Sequence, residues 1–134
     1  MKLFFDENMG NGVPEALRLV GIRDVNYVTN MFADVHTAQG IADEEWIPRI
    51  GSDWLVVSKD QQLLRRPAQL QLLAQHRLGI ICITSATARS RDLLEFMLRR
   101  MARLDEIDSR IPRPSAFRVS IRGPFTRLFL PEFA

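Results

Sequence analysis

Three groups of acids fall within the first sixty residues, and each borders a stretch that has to be buried: Asp6-Glu7-Asn8, Asp43-Glu44-Glu45, and Asp60 in Ser58-Lys59-Asp60. Unit charges about 4 Å apart repel by roughly 4 kcal/mol at an effective dielectric of about 20. If Asp6, Asp43 and Asp60 converge, the cluster therefore needs protonation or a cation. An all-oxygen carboxylate set suits a hard divalent ion, Mg²⁺ or Mn²⁺, completed by water. Zn²⁺ asks for Cys or His ligands at spacings this chain does not offer. Such an ion polarises a phosphodiester and acidifies a water, which is the chemistry of in-line hydrolysis. One acidic turn after a strand is commonplace; three in register at one sheet edge would not be.

The elements that must position these acids can be read from hydrophobic pattern. Leu3-Phe4-Phe5 is a short apolar run that stops on Asp6, with turn signals at Gly10, Gly12 and Pro14, and reads as a strand covered on both faces. Pro14 to Gly21 reads as a helix with Val13, Leu17 and Val20 on its inner face, and Asp24 to Val28 as a second strand. Strand, helix and strand within about thirty residues make a βαβ unit, so the sheet is expected to be parallel. Functional crevices in such sheets lie outside the carboxyl ends of the strands. Residues 29 to 42 show no period and read as a loop over that edge, with His36 a loop histidine rather than a ligand.

Periodicity also chooses among the acids of the second group. At 100° per residue Trp46, Ile47 and Ile50 form one stripe, and Asp43 falls within it. Glu44 lies to one side, able to reach a cleft rim, and Glu45 faces water. Pro48 shortens or kinks this helix. Asp53 to Ser58 reads as a third buried strand ending, like the first, on a polar turn with an acid. A helix over 67–78, a strand over 80–83 and a long helix over about 90–107 follow. The broad apolar stripe of the long helix suits a core or a homodimer seam. After Pro112 and Pro114 the pattern over 117–130 reads as a terminal hairpin or pair of edge strands. Its aromatic end would either pack back on the domain or form a partner interface.

At 134 residues, 46% hydrophobic and 25% charged, the chain is expected to be a single α/β domain, with an α/β core over 1–110 and a C-terminal hairpin over 111–134. No apolar run reaches the roughly 20 residues of a bilayer span, and the N-terminus lacks the basic and apolar regions of a secretory signal. A cytoplasmic location is the expectation. The lone Cys82, among Ile80, Ile81 and Ile83, reads as a buried strand residue. The net charge of +2 is unevenly divided: residues 1–60 carry five Lys/Arg against ten acids, and residues 61–134 carry thirteen Arg against six. An acidic first half beside an arginine-rich second half matches a cation-binding cleft rimmed by a phosphate-attracting surface.

Taken together, a strand ending in Asp6-Glu7-Asn8, a helix starting Asp43-Glu44-Glu45 and a strand ending Ser58-Lys59-Asp60 resemble the PIN-like domains, in their short variant, over about residues 1–85. The resemblance implies a Mg²⁺- or Mn²⁺-dependent ribonuclease, often the toxin of a VapC-type toxin–antitoxin pair held inactive by an antitoxin protein. It implies Asp6, Asp43 and Asp60 as metal ligands, with Glu44 an outer ligand or base. Glu7 is set apart, because adjacent strand residues point to opposite faces and Asp6 takes the inward one. Lys59, Arg65 and Arg66 are the candidates to grip RNA phosphates. Many members carry a second Asp and then Phe after the Ser-x-Asp, where this chain has Gln62 and Leu63. That substitution keeps a second reading open, a non-catalytic binding module with an acidic edge. A receiver-type phosphoacceptor would want a Lys after its fifth strand, and none occurs beyond Lys59.

Overall fold

A computed structural model describes residues 1–32, 42–85 and 87–130. Six strands form one sheet: β1 (Lys2–Phe5), β2 (Val25–Tyr27), β3 (Trp54–Ser58), β4 (Gly79–Ile83), β5 (Ser115–Val119) and β6 (Thr126–Leu128). Their order is β2-β1-β3-β4-β5-β6, parallel throughout except for the antiparallel β5–β6 pair. The helices are α1 (Gly12–Leu19), α2 (Val28–Met31), α3 (Asp43–Ile50), α4 (Pro67–Gln75) and α5 (Ser90–Arg110). The expected α/β architecture with a mostly parallel sheet and a C-terminal hairpin is the one found. Among the described residues no helix is long and apolar enough to cross a membrane.

Strand alternation divides the core in two. Leu3, Phe5, Leu55, Val57, Ile81, Ile83, Phe117 and Val119 face one way, onto Val13 and Leu17 of α1 and the buried stripe of α5. Phe4, Val56, Ile80 and Ala116 face the other, onto Trp46, Ile47 and Ile50 of α3, Leu73 of α4 and Val28 of α2. Because α1 and α3 cover opposite faces, the chain leaves β1 on one side of the sheet and reaches β3 from the other. The gap between the ends of β1 and β3 is thus the switch point at which doubly wound sheets open a crevice.

Some local expectations shift. Helix α1 ends at Leu19, and Val20, just beyond it, is exposed and does not share the inner face. Helix α2 occupies residues 28–31, where the last strand residue, Val28, and the start of a loop are expected; residues 33–41, with His36, lie outside the described residues. Pro48 sits inside α3 with its ring on the exposed side, and the helix is short, ending at Gly51 with φ 81°. Strand β5 is no appendage. It pairs with β4 over five residues and buries Ala116, Phe117 and Val119 in the core, so only β6 is an added edge.

Candidate active site

Asp6 follows the last residue of β1 and points to the α3 side, as alternation after Phe4 and Phe5 requires. It is only 5% exposed. Its backbone N–H donates to the Val57 carbonyl at 3.0 Å, which extends the β1–β3 ladder by one residue. One carboxylate oxygen accepts from the Glu7 N–H at 2.6 Å, capping the 3₁₀ turn Glu7–Met9, and the other accepts from Ser58 Oγ at 2.9 Å. Gly10 closes that turn at φ 73°, a conformation glycine adopts without steric cost. Glu7 is exposed, so the two neighbouring acids occupy different environments.

Asp60 arrives by the same device on β3. Its carboxylate accepts from the Gln62 N–H at 2.9 Å and caps the 3₁₀ turn Gln61–Leu64. Its own N–H donates to Ser58 Oγ at 3.0 Å. Ser58, fully buried, is therefore donor to Asp6 and acceptor from Asp60. Asn8 Oδ1 stands farther from the hydroxyl, at 3.4 Å. Asp43 is the first residue of α3, half-buried, and accepts from the indole N–H of fully buried Trp46 at 3.0 Å. Trp46 is in turn held against Phe4, with ring centroids 5.2 Å apart. The apolar stripe that buries α3 thus also aims its first carboxylate.

The three acids feel one another. Burial pushes the Asp6 carboxyl up to about 6, with Asp43 and then Asp60 adding to the rise, while the bonds from Ser58 and Glu7 oppose it. Burial also raises Asp43 above the ordinary carboxylate value, helped by Asp60 and Glu44 and countered by Trp46 and Arg66. Among the described residues none of the ion pairs includes any of these acids. No group of three or more His, Cys, Asp and Glu among the described residues stands in position to hold one ion directly. The donor chemistry still fits Mg²⁺ or Mn²⁺, which keep several waters and use one or two direct carboxylates.

The remaining expected residues fall around this centre. Glu44 is exposed on the rim, its carboxylate accepting from the side chain of buried Gln69 in α4 at 2.8 Å. Lys59 and Arg65 line a cleft of about 430 Å³ together with Asn8, Asp60, Gln61 and Gln62. Arg66 does not line that cleft; its charge acts on Asp43. The Cys82 thiol is buried, donates to the Asp60 carbonyl at 3.7 Å, and is pushed by that burial up to about 11, a structural rather than a nucleophilic setting. Pattern reading passed over Ser58 as a junction, Trp46 as a hydrogen-bond donor, and Gln69. A serine in Ser-x-Asp, whose hydroxyl can turn back onto the local backbone, was the one available signal for the first.

The family model described as PIN like domain matches residues 1–85, from the first strand to just past the end of β4. No curated protein and no solved structure matches the chain. The match spans all three acidic groups and more than half of the chain, and the chain belongs to the PIN-like domain family, which lies within a nuclease superfamily.

Proposed function

We propose that this protein is a metal-dependent endoribonuclease. The observation that carries the reading is that Asp6 and Asp60 stand at the adjacent ends of β1 and β3, both bonded to Ser58 Oγ, with Asp43 at the head of α3 near enough to raise the Asp6 carboxyl, and that none of the three is in an ion pair among the described residues. Each carboxylate is pre-set by a donor from the fold: Ser58 and the Glu7 N–H for Asp6, Trp46 for Asp43, the Gln62 N–H for Asp60. Fixed donors and acceptors need no reorganisation as charge develops on a phosphodiester. Asp6, Asp43 and Asp60 are the residues to hold Mg²⁺ or Mn²⁺, partly through water, with Glu44 in the outer position. When bound, the ion supplies charge to polarise the phosphodiester and to acidify the attacking water. Lys59 and Arg65, on the shared cleft, hold the RNA backbone beside Asp60; Arg66 would approach it from the Asp43 side.

The finer role follows the family resemblance: a toxin of a type II toxin–antitoxin pair, working in the cytoplasm and restrained by an antitoxin protein. Co-purification with the product of an adjacent gene, and relief of growth arrest by that product, test this part. The nuclease itself is tested by incubating the purified protein with RNA and Mg²⁺ or Mn²⁺. Cleavage that vanishes in excess EDTA and in Asp6→Asn supports it; cleavage that survives both sinks it. A second reading, an acidic-edged binding module without catalysis, is favoured by one observation: Gln62 is exposed on the cleft and adds no charge where an acid would strengthen metal binding. Calorimetry separates the two, since the module would bind no Mg²⁺.

A further inference from the structure

Beyond Asp60 the cleft of Lys59 and Arg65 adjoins a second cavity, about 260 Å³, between the Gln61–Leu64 turn, the carboxyl ends of β4 and β5, and the chain after β6. The two share Gln61 and Arg65 along their walls. Strand register explains the adjacency. Ser58 pairs with Cys82 and Cys82 with Arg118, so these three form one row on the α3 face, with Asp6 next to Ser58. At about 4.8 Å between strands, Arg118 stands about 10 Å from Ser58. That is within reach of a dinucleotide whose phosphodiester lies at the acids.

The lining has two characters. Arg65 and Arg118 are both exposed, and among the described residues neither side chain donates a hydrogen bond or forms an ion pair. Lack of a partner does not single them out, since Arg66, Arg110 and Arg122 also make no such bond among the described residues; what sets Arg65 and Arg118 apart is that both line this one cavity. Against the two free guanidiniums stands an apolar wall, Leu128, Phe129 and Leu130, in which Phe129 is 88% exposed and lies beneath the Arg127 guanidinium at 5.8 Å. On the floor, Gln61 spends its amide N–H on the Thr84 carbonyl at 3.1 Å, which leaves its own oxygen for a ligand. Aromatic and aliphatic surface beside unengaged arginines is the combination that holds single-stranded nucleic acid, the base stacked and the phosphate clamped.

We propose that this cavity is a nucleotide subsite, taking the RNA residue next to the cleaved bond, with its base on the Leu128–Leu130 wall and its phosphate between Arg65 and Arg118. The assignment rests on the ribonuclease reading, and it names where that enzyme would grip single-stranded RNA. Charge complementarity favours a polyanion over a protein segment at this spot.

The test uses the full chain, a fluorescein-labelled single-stranded oligoribonucleotide, and two readouts. In EDTA, fluorescence anisotropy should show Arg118→Gln and Phe129→Ala each weakening binding about tenfold, with the salt dependence of Arg118→Gln shallower by about one phosphate contact. Arg110→Gln, on an exposed residue at the end of α5, should bind like wild type. With metal present, the two pocket variants should raise KM for RNA and leave kcat unchanged. Both pocket residues are exposed, and unchanged thermal unfolding midpoints check that the variants fold. Binding that depends on Arg118 without any cleavage by wild type would retire the ribonuclease reading and support the nucleotide pocket. Cleavage with wild-type KM in both variants would overturn the pocket and leave the enzyme. A wild-type chain that binds no oligoribonucleotide overturns the proposal.

Discussion

The hydroxyl of Ser58, at the end of β3, donates to Asp6, at the end of β1, across 2.9 Å, and accepts the Asp60 N–H at 3.0 Å. One buried oxygen thereby ties together two acids that are 54 positions apart in sequence. Replacing it should have consequences for both. In Ser58→Ala the Asp6 carboxylate loses a donor and the Asp60 N–H an acceptor, in a site without water access to the hydroxyl. Leaving such groups unsatisfied costs about 1–3 kcal/mol. Urea unfolding at pH 7 should show a loss of that size, and RNA cleavage should fall with it. A midpoint equal to wild type would show that the junction carries no stability.

Asp6→Asn should do the opposite to stability while abolishing cleavage. Burial holds the Asp6 carboxyl at about 6 against 3.8 in the unfolded chain. The folded state therefore binds more protons than the unfolded state between these values, and stability falls as pH rises through them. The stability is fully present below the unfolded value and lost by the time pH passes the folded one. The shift amounts to about 3 kcal/mol. Asparagine does not titrate, so the stability of Asp6→Asn relative to wild type should increase by about 2 kcal/mol between pH 4 and pH 7, measured by denaturant unfolding in EDTA. A difference that stays flat with pH would place Asp6 in a solvated environment.

Divalent cations should reverse that penalty. A ligand that binds only the folded state stabilises it in proportion to the logarithm of its concentration over Kd. At pH 7 millimolar Mg²⁺ or Mn²⁺ should raise the wild-type Tm by a few degrees, and the rise should disappear in Asp6→Asn and in Asp60→Asn. Differential scanning calorimetry at constant ionic strength separates this from general screening, since Na⁺ should not reproduce it.

Trp46→Phe isolates the orientation of Asp43. Phenylalanine keeps most of the packing against Phe4 but removes the indole N–H that donates to Asp43. The carboxylate then loses the larger of the two interactions that lower its pKa, Arg66 remaining, and its fixed rotamer. Cleavage should drop about tenfold in kcat, the Mg²⁺ concentration for half-maximal rate should rise, and KM for RNA should stay constant. A normal metal requirement would separate Trp46 from the site and leave it a core residue.

Much of this arrangement is determined by the sequence itself. The strand period separates Asp6 from Glu7, and the two do part, though Glu7 is exposed because it opens the 3₁₀ turn beyond β1 rather than by alternation. The inward stripe of Trp46, Ile47 and Ile50, with Asp43 at its head, follows from helical phase. Where the sequence misleads, a boundary is at fault: Val20 continues the helical pattern, but α1 has already ended at Leu19, and beyond a helix its period no longer predicts a face.

What only the tertiary structure decided is who meets whom across the sheet. Local pattern contains no strand order, because pairing is chosen by packing on both faces at once. The order β2-β1-β3-β4-β5-β6 puts the ends of β1 and β3 side by side and makes Ser58 the link between Asp6 and Asp60. The same order carries Arg118, from the far end of the chain, into the row of Ser58 and Cys82 and onto the cavity that adjoins Asp60. The acids were legible because burial and periodicity mark them one at a time; the hydroxyl and the arginine that complete their surroundings were not, because their meaning lies in register between strands distant in sequence.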